Sequence, residues 1–187
     1  FFNTVFPLAK HAAIIVFSVA PTLIFENLIT AACFAKGNTI LKNCAIEPEI
    51  KDLVNFLLKM GCKIKWTGKR SLKISGVKEI KEISYTVMFD RIEAGTYLIA
   101  AALTEGNLQI KNVIPKIIKT EIDILKKIGA DVRTKKNKIR IIGKNKIKNL
   151  KIFTSPYPGF STDLQAQVMV LLCKASGKSQ IIEKIFE

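Results

Sequence analysis

The amino-acid sequence predicts an α+β fold (α/β) built from repeated β-α-β-α-β-β units. Two segments, AACFAKGNTILKN (31 to 43) and AAALTEGNLQIKN (100 to 112), align with their glycines, the following asparagines and the closing Lys-Asn pairs in register. Each is followed by an apolar periodic stretch that ends at glycine, and then by two short stretches of alternating polarity. With 49% hydrophobic residues in 187, the chain can also build a substantial core.

The first strand is predicted from residue 14 to residue 19, in an apolar run near the N-terminus. This run is broken at Pro21 and continues into a segment that contains Glu26 and Asn27. It is too short and too interrupted to cross a bilayer, which needs about 20 apolar residues. We therefore predict a buried strand and no membrane span, and a secretory signal is the less favoured interpretation.

Each repeated unit then opens with a helix that should stop at a glycine, because glycine adopts the left-handed conformation of helix ends without steric strain. A strand follows, and a second helix is predicted from near Pro48 in the first copy and near Pro115 in the second. Its apolar positions in the first copy have helical spacing: Ile50, Leu53, Val54, Leu57 and Leu58.

After another glycine stop, each unit should end in a hairpin. The hairpin pairs KIKW with LKIS in the first copy and DVRT with IRII in the second. A third, weaker copy begins at VLLCKASGKSQII (170 to 182).

The stretch YTVMFDRIEAGTYLIAAAL (85 to 103) joins the two copies. We expect a strand to lead into Asp90, and Asp90 with Glu93 has the spacing of a capping box that opens a helix. Arg91 would then occupy the first helical position, where the helix dipole disfavours a cation. Either Arg91 binds an anion near the free backbone N–H groups, or it pairs with Glu93 or another surface acid.

Asp163 is the candidate catalytic residue, in PGFSTDLQAQ (158 to 167). Thr162 and Gln165 have the spacing of a capping box, which puts Asp163 in the first turn of a helix, where a carboxylate is favoured for stability alone. The preceding loop contains two prolines and a glycine, and rigid loops also aim general bases. The spacing therefore leaves both interpretations open.

Two further acids, Glu47 and Glu49, pose the same choice in IEPEI (46 to 50). Acids at a helix start usually stabilise the helix, and we favour that interpretation over paired acid–base chemistry. His11 is the only histidine, so a Ser–His–acid arrangement has no support. The sequence contains neither a P-loop nor a GxGxxG motif, which excludes those two modes of nucleotide binding.

The four cysteines are far apart and form no CxxC pair. Three of them interrupt apolar runs, as buried free thiols do, so we expect a reducing, cytoplasmic setting and no metal site. The residues are Cys33, Cys44, Cys62 and Cys173.

The formal net charge of +15 would suit a polyanionic partner. However, only four of the 30 basic residues are arginines, and aromatic residues are not interleaved with the charge as single-strand binding would need. A solvated lysine-rich surface is the favoured interpretation, and binding to nucleic acid the less favoured one.

Taken together, the repeat, FDRIEAGTYLIAAAL and FSTDLQAQ resemble the UDP-N-acetylglucosamine enolpyruvyl transferase family, the 1-carboxyvinyltransferases of early peptidoglycan synthesis. The resemblance covers residues 22 to 187 and includes ENLITAA, EPEI and the terminal IFE. It implies an incomplete two-lobed inside-out α/β barrel with substrates in a cleft. Residues 1-88 would be the C-terminal part of the first lobe, and residues 89-187 the N-terminal part of the second.

The same resemblance implies transfer of the enolpyruvyl group of phosphoenolpyruvate to the 3′-hydroxyl of UDP-N-acetylglucosamine, without a cofactor. This is a cytoplasmic step of cell wall biogenesis, on which cell shape and division depend. Asp163 matches the family aspartate taken as the base for the hydroxyl, and Ile185 matches a residue that lines the uridine site. Thr162 and Arg91 match cleft positions and are expected to bind substrate.

Some family residues have no counterpart in the sequence. None of the four cysteines matches the family's reactive cysteine loop, and Ile46 stands where the family usually has arginine. The phosphoenolpyruvate-binding Lys-Asn pair is expected before residue 1. We therefore expect a fragment that is inactive alone and needs a complementing fragment of the same enzyme. The alternatives are the shikimate-pathway enolpyruvyl transferase, an inactive remnant and a basic polyanion-binding protein.

Overall fold

The computed structural model describes residues 13–16 and 22–186. These residues form two compact units, one within residues 1–88 and the other within residues 89–187. Among the described residues, no helix has the length and apolar character needed to cross a membrane. His11 and residues 17–19 of the expected first strand lie outside the described residues.

The first unit contains one four-stranded sheet with strand order β1-β2-β4-β3. Strand β1 runs parallel to β2, and the other two pairings are antiparallel. In chain order its elements are β1 (Ala13–Val16), α1 (Thr22–Ala32), β2 (Asn38–Lys42), α2 (Pro48–Lys59), β3 (Lys63–Gly68) and β4 (Ser71–Ser75).

From its first helix onward, the second unit repeats this order and then extends it. Its antiparallel sheet has the order β5-β7-β6, and two short parallel pairs, β8 with β10 and β9 with β11, follow. In chain order its elements are α3 (Arg91–Leu103), β5 (Asn107–Lys111), α4 (Lys119–Lys127), β6 (Asp131–Lys135), β7 (Lys138–Ile142), β8 (Ile147–Lys148), β9 (Lys151–Phe153), a 3-10 helix (Thr162–Leu164), α5 (Gln165–Leu172), β10 (Ala175–Ser176) and β11 (Gln180–Ile182).

The predicted repeat is therefore present as helix, strand, helix and hairpin in both units. Both predicted hairpins are confirmed: Ile64 pairs with Ile74 in the first, and Val132 with Ile141 in the second. The start of α2 at Pro48 is also confirmed. In the second unit α4 begins at Lys119, after a turn that contains Pro115.

Each unit has its own apolar core between its helices and its sheet. In α2 the side chains of Ile50, Val54 and Leu57 are buried, whereas Leu58 is exposed. Full burial of a branched aliphatic side chain stabilises the fold by about 1.5–3 kcal/mol. The largest fully buried side chains of the second unit are Leu98, Ile118, Leu125, Ile128, Ile139 and Ile141.

The expected glycine stops are confirmed after the second helix of each unit, at Gly61 (φ 96°) and Gly129 (φ 112°). After the first helices the two copies differ. Gly37 has a φ of 88°, but in the second copy Glu105 takes the left-handed conformation, with a φ of 57°. The expectation for Gly106 was wrong because its N–H bonds back to the Ala101 carbonyl at 2.8 Å, which closes the helix end around Glu105.

The strand expected to lead into Asp90 is not formed: all of residues 76–90 are described, and none of them lies in a strand. Separate backbone and side-chain hydrogen bonds hold this segment instead of a sheet. The Met88 N–H donates to Oδ2 of Asp52 at 3.2 Å, and the Tyr85 hydroxyl donates to Oδ1 of the same carboxylate at 2.8 Å. Asp52 therefore satisfies one backbone donor that a strand would have paired with a neighbour.

Candidate active site

The start of helix α3 is capped as the sequence predicts. Oδ1 of Asp90 accepts hydrogen bonds from the N–H groups of Ile92 (2.7 Å) and Glu93 (3.0 Å). These are two of the backbone donors that have no partner inside a helix, so the cap stabilises its first turn. Arg91 is the first residue of the helix, as predicted.

Arg91 is buried, with 7% of its surface exposed. Its guanidinium carbon lies 5.7 Å from the centre of the Tyr157 ring. Burial raises the pKa of the Glu121 carboxyl, and the nearby positive charge of Arg91 opposes this by lowering it. The charge of Arg91 therefore acts on a buried carboxyl of α4, which the sequence spacing did not suggest.

Tyr157 lies in the loop that precedes Asp163, and this loop is bonded to helix α4. The Thr120 hydroxyl donates a 2.6 Å hydrogen bond to the Pro158 carbonyl. A Cβ atom on Gly159 would lie 2.9 Å from the Ser155 carbonyl oxygen and 2.8 Å from the Ser155 Cβ, so a larger residue there would shift the turn. The contact between Arg91 and Tyr157 therefore joins the start of α3 to the approach to Asp163.

Asp163 lies in the first turn of the 3-10 helix, as predicted, and is exposed. The residue that caps this turn was misassigned to Thr162. The cap is Ser161, whose hydroxyl oxygen accepts from the Asp163 N–H at 3.3 Å. The reason is that the helix starts one residue earlier than the sequence spacing suggested, which leaves the Thr162 hydroxyl available for another partner.

Helix α3 packs closely against this 3-10 helix. A Cβ atom on Gly95 would lie 2.6 Å from Cδ1 of Leu164, so the two helices approach as closely as glycine allows. The Gln167 amide also donates to the Thr96 hydroxyl at 3.1 Å. These contacts position the turn that carries Asp163 relative to the start of α3.

Glu183, which the sequence analysis missed, joins three segments of the second unit. Its Oε2 accepts a 2.5 Å hydrogen bond from the Thr162 hydroxyl. Its Oε1 accepts from the Thr154 hydroxyl at 2.7 Å and from the N–H groups of Ile185 (2.6 Å) and Phe186 (3.3 Å). These bonds, with that of Thr162 the strongest, lower the pKa of Glu183 to about 2.

Two of the predicted site residues, Thr162 and Ile185, are therefore brought together on one carboxylate, with Asp163 next to Thr162 in the chain. Arg91 is linked to the loop before Asp163 through Tyr157. Only part of the Glu183 cluster had a sequence signal: an acid two and three residues before its N–H partners is a common capping pattern. The two threonines have no such local signal.

Glu47 and Glu49 belong to the other unit. Glu47 directly precedes α2 and Glu49 lies in its first turn, so the prediction of a helix start is confirmed. The Glu47 side chain makes no capping hydrogen bond. Burial, followed by the negative charge of Glu49, raises the pKa of Glu26.

The thiols behave as expected from the sequence, with Cys33, Cys44 and Cys62 buried and free and Cys173 exposed. Across residues 13–16 and 22–186, no group of three or more His, Cys, Asp or Glu side chains could hold a metal ion. An open groove of about 440 Å³ lies beside the start of α3 and strand β5, and its polar lining includes Asp90, Glu93, Gln109 and Lys111.

The chain is similar in sequence to known carboxyvinyltransferases. The profile of the family described as EPSP synthase (3-phosphoshikimate 1-carboxyvinyltransferase) matches residues 4–187. Over 162 residues the chain is 70% identical to UDP-N-acetylglucosamine 1-carboxyvinyltransferase of Pelagibacter ubique (strain HTCC1062) and 49% identical to that of Geotalea uraniireducens (strain Rf4). Each match covers 87% of this chain and 39% of the relative, so the chain spans about two fifths of the relatives' length.

Solved structures share its fold. The enolpyruvyl transferase NikO from Streptomyces tendae matches 94% of this chain and 45% of its own, with a TM-score of 0.77 and 19% identity. EPSP synthase from Acinetobacter baumannii matches 91% of this chain and 40% of its own, with a TM-score of 0.55 and 18% identity. The predicted fold class is confirmed.

Proposed function

Because the chain belongs to the EPSP synthase (3-phosphoshikimate 1-carboxyvinyltransferase) family, we propose that it is part of a UDP-N-acetylglucosamine 1-carboxyvinyltransferase. Its substrates are then phosphoenolpyruvate and UDP-N-acetylglucosamine, and its reaction is an early step of peptidoglycan synthesis. The 70% identity to a relative of that name supports this choice of acceptor within the family. In this proposal, residues 1–88 belong to the C-terminal part of the first lobe and residues 89–187 to the N-terminal part of the second.

The observation that carries the proposal is the environment of Asp163. Its carboxylate is exposed at the start of a helix, and its Oδ2 lies 3.3 Å from the Ser161 hydroxyl oxygen. The hydroxyl of the preceding residue, Thr162, is hydrogen-bonded to Glu183. A carboxylate that is reachable by a ligand yet fixed on a short helix can act as a general base.

The chemistry assigned to Asp163 is removal of the proton from the acceptor 3′-hydroxyl. As the hydroxyl oxygen forms a bond to C2 of phosphoenolpyruvate, its proton passes to the Asp163 carboxylate, and C3 receives a proton from an acid. The conjugate base of that acid then takes a proton back from C3 as the C2–O bond to phosphate breaks, which restores the double bond and releases phosphate. A sugar hydroxyl is a very weak acid, so the base helps as the C–O bond forms.

The other three residues have binding roles in this proposal. Ile185 lies in the segment after β11 and presents an aliphatic side chain for the uridine, while Thr162 lies beside the base. Arg91 is proposed to bind substrate from the start of α3, and its contact with the Tyr157 ring places it beside the loop that leads to Asp163. We propose a cytoplasmic location, which fits the free buried thiols.

The test uses this chain together with a complementing remainder taken from the Pelagibacter ubique relative. We expect phosphate release from phosphoenolpyruvate only when UDP-N-acetylglucosamine is present. The Asp163→Asn variant should lower the rate about 10²- to 10⁴-fold, the usual contribution of a general base. Asp123→Asn is the matched control, because Asp123 is an exposed acid of the same unit that pairs with Lys119.

Three results would reject the proposal. The first is no phosphate release by the complemented wild-type protein. The second is activity with shikimate 3-phosphate in place of the nucleotide sugar, which would favour the shikimate-pathway reaction. The third is an Asp163→Asn variant that keeps the rate of Asp123→Asn.

A further inference from the structure

The geometry points to Glu183 as a positioning residue, which fixes the turn of Thr162 and Asp163 relative to the segment of Ile185. This inference rests on the proposed function, since it concerns the two sides of the proposed acceptor site. Glu183 itself is not assigned a contact with substrate. Its role is to set the distance between the proposed base and the residue proposed to line the uridine site.

The first argument is that both oxygens of the carboxylate accept hydrogen bonds. Glu183 receives four of them, one on Oε2 and three on Oε1. In a glutamine the NH₂ group could donate to the Thr162 hydroxyl and the amide oxygen could keep the other bonds, but all of them would lose the assistance of the negative charge. The ionised carboxylate is therefore what makes these bonds strong.

The second argument is that the strands do not need Glu183. Strand β11 is already paired with β9 through residues Gln180 to Ile182, and the Thr154 N–H donates to the Ile182 carbonyl at 3.0 Å. Glu183 lies directly after the end of this ladder. Its carboxylate adds two bonds between segments, one from the Thr154 hydroxyl directly after β9 and one from Thr162, which lies on the short helix of Asp163 and outside both strands.

The third argument is that the bonds on the two sides differ in reach. The N–H groups of Ile185 and Phe186 are two and three residues away, so a shorter carboxylate can still accept from them. Thr162 is 21 residues away and is reached only by the full length of the glutamate side chain. A Glu183→Asp change should therefore keep the bonds from the N–H groups of Ile185 and Phe186 and lose the bond from Thr162. Glu183→Gln should weaken these N–H bonds and the bond from Thr162.

The experiment compares the wild-type chain with Glu183→Asp, Glu183→Gln and a control, Glu105→Gln. Glu105 is an exposed acid of the same unit that pairs with Lys174 at 3.6 Å. Amide hydrogen exchange is measured by NMR at Ile185 and at Leu164, whose N–H donates to the Ser161 carbonyl at 3.2 Å. We expect at least threefold faster exchange at Leu164 in both Glu183 variants, and faster exchange at Ile185 only in Glu183→Gln.

Binding of UDP-N-acetylglucosamine to the same proteins supplies the functional readout, with each protein combined with the complementing remainder used in the activity test. Both Glu183 variants should bind at least tenfold more weakly than wild type, and Glu105→Gln should match wild type. In the double variant Thr162→Val/Glu183→Asp the loss of affinity should equal that of Thr162→Val alone, because each change removes the same hydrogen bond, the one from Thr162 to residue 183.

The inference is overturned if Leu164 exchanges at the wild-type rate in Glu183→Asp, because Glu183 is then a local cap of its own turn. It is also overturned if the effects of Thr162→Val and Glu183→Asp on binding multiply. If the complemented wild-type protein binds no UDP-N-acetylglucosamine, the proposed function fails at this step. The positioning of the two segments is then decided by the exchange rates at Leu164.

Discussion

The hydroxyl of Thr162 donates a 2.5 Å hydrogen bond to the carboxylate of Glu183, which lies 21 residues further along the chain. The same carboxylate accepts from the backbone of Ile185. A helix start and the segment that follows a strand are thereby joined at one ionised group. The arrangement has a consequence for how stability depends on pH.

We expect Glu183 to make the protein less stable in acid. Its folded-state pKa of about 2 lies below the ordinary value of 4.5, chiefly through the bonds from Thr162 and Thr154. The ionised form therefore stabilises the fold above pH 4.5, and this contribution is lost as the pH falls through about 2.

Urea denaturation at about pH 5 and about pH 2.5 measures the effect as a change in the free energy of unfolding. The wild-type chain should lose more stability between these two values than Glu183→Gln, which cannot titrate at this position. Equal losses in the two proteins would show that the Glu183 bonds do not favour the ionised form.

Replacement of Arg91 by glutamine should destabilise the second unit, and the loss should grow with pH. Burial holds the pKa of Glu121 above its ordinary value and Arg91 opposes this, so without Arg91 the pKa rises further. A group with a raised folded-state pKa loses its stabilising contribution as the pH rises through that pKa. We expect a cost of about 1–3 kcal/mol at neutral pH, the scale of an uncompensated buried polar group.

The double variant Arg91→Gln/Glu121→Gln provides the control for this prediction. It removes the group that titrates, so its free energy of unfolding should change less between about pH 5 and about pH 7 than that of Arg91→Gln. Urea denaturation followed by circular dichroism measures both variants. A pH-independent loss in Arg91→Gln alone would mean that Arg91 acts through its packing on Tyr157 and not through Glu121.

Gly76→Ala should destabilise the first unit. A Cβ atom at this position would lie 1.7 Å from the Ala35 carbonyl oxygen, a backbone atom that cannot move aside without shifting the end of α1. Overpacking of this kind typically costs about 1–3 kcal/mol. Gly68→Ala is the matched control in the same sheet, because a Cβ there would meet its nearest neighbour, Ser71, at 3.9 Å.

The single tryptophan of the chain, Trp66, lies on β3 of this sheet and reports its unfolding by fluorescence. We expect a lower urea midpoint for Gly76→Ala and a midpoint near that of wild type for Gly68→Ala. If the two variants have the same urea midpoint, the close approach of Gly76 to Ala35 does not make this position intolerant of a side chain.

One of the four cysteines should react quickly with a thiol reagent in the folded chain. Burial and then contact with Cys62 raise the pKa of Cys33 to about 12, and burial raises the pKa of Cys44. The thiolate is the reactive form, so these buried thiols react slowly, whereas Cys173 is exposed. Titration with Ellman's reagent should give one rapid equivalent before unfolding and four after it.

Cys173→Ser should abolish the rapid phase and leave the slow one unchanged. A rapid phase that survives this substitution would mean that one of the three buried thiols opens to solvent readily.

Much of the fold follows from local patterns in the chain. The repeat, both hairpins, the starts of α2 and α3 and the first-turn position of Asp163 were all predicted correctly. In each case the residues that form the hydrogen bonds or the apolar face of the element are only a few positions apart in the sequence. Gly61 and Gly129 belong to the same class, since a helix end is also a local structure.

One error has a local cause and one a tertiary cause. Ser161 and Thr162 are both good caps, and the spacing to Gln165 favoured the wrong one by a single residue. The run before Asp90 has strand composition, but no strand pairs with it among the described residues, and the Met88 N–H donates to the Asp52 side chain instead. A propensity for strand has no effect without a neighbouring strand.

The sequence by itself determined the repeated units, their cores and the presence of a carboxylate at the start of a short helix. Only the tertiary structure decided that Arg91 is buried and contacts Tyr157. It also decided that Glu183 accepts hydrogen bonds from the hydroxyls of Thr154 and Thr162, which are 29 and 21 residues away. The physical reason is that periodicity and capping act within a few residues, whereas the hydrogen bonds of a side chain are set by whichever segments the folded chain brings within about 3 Å.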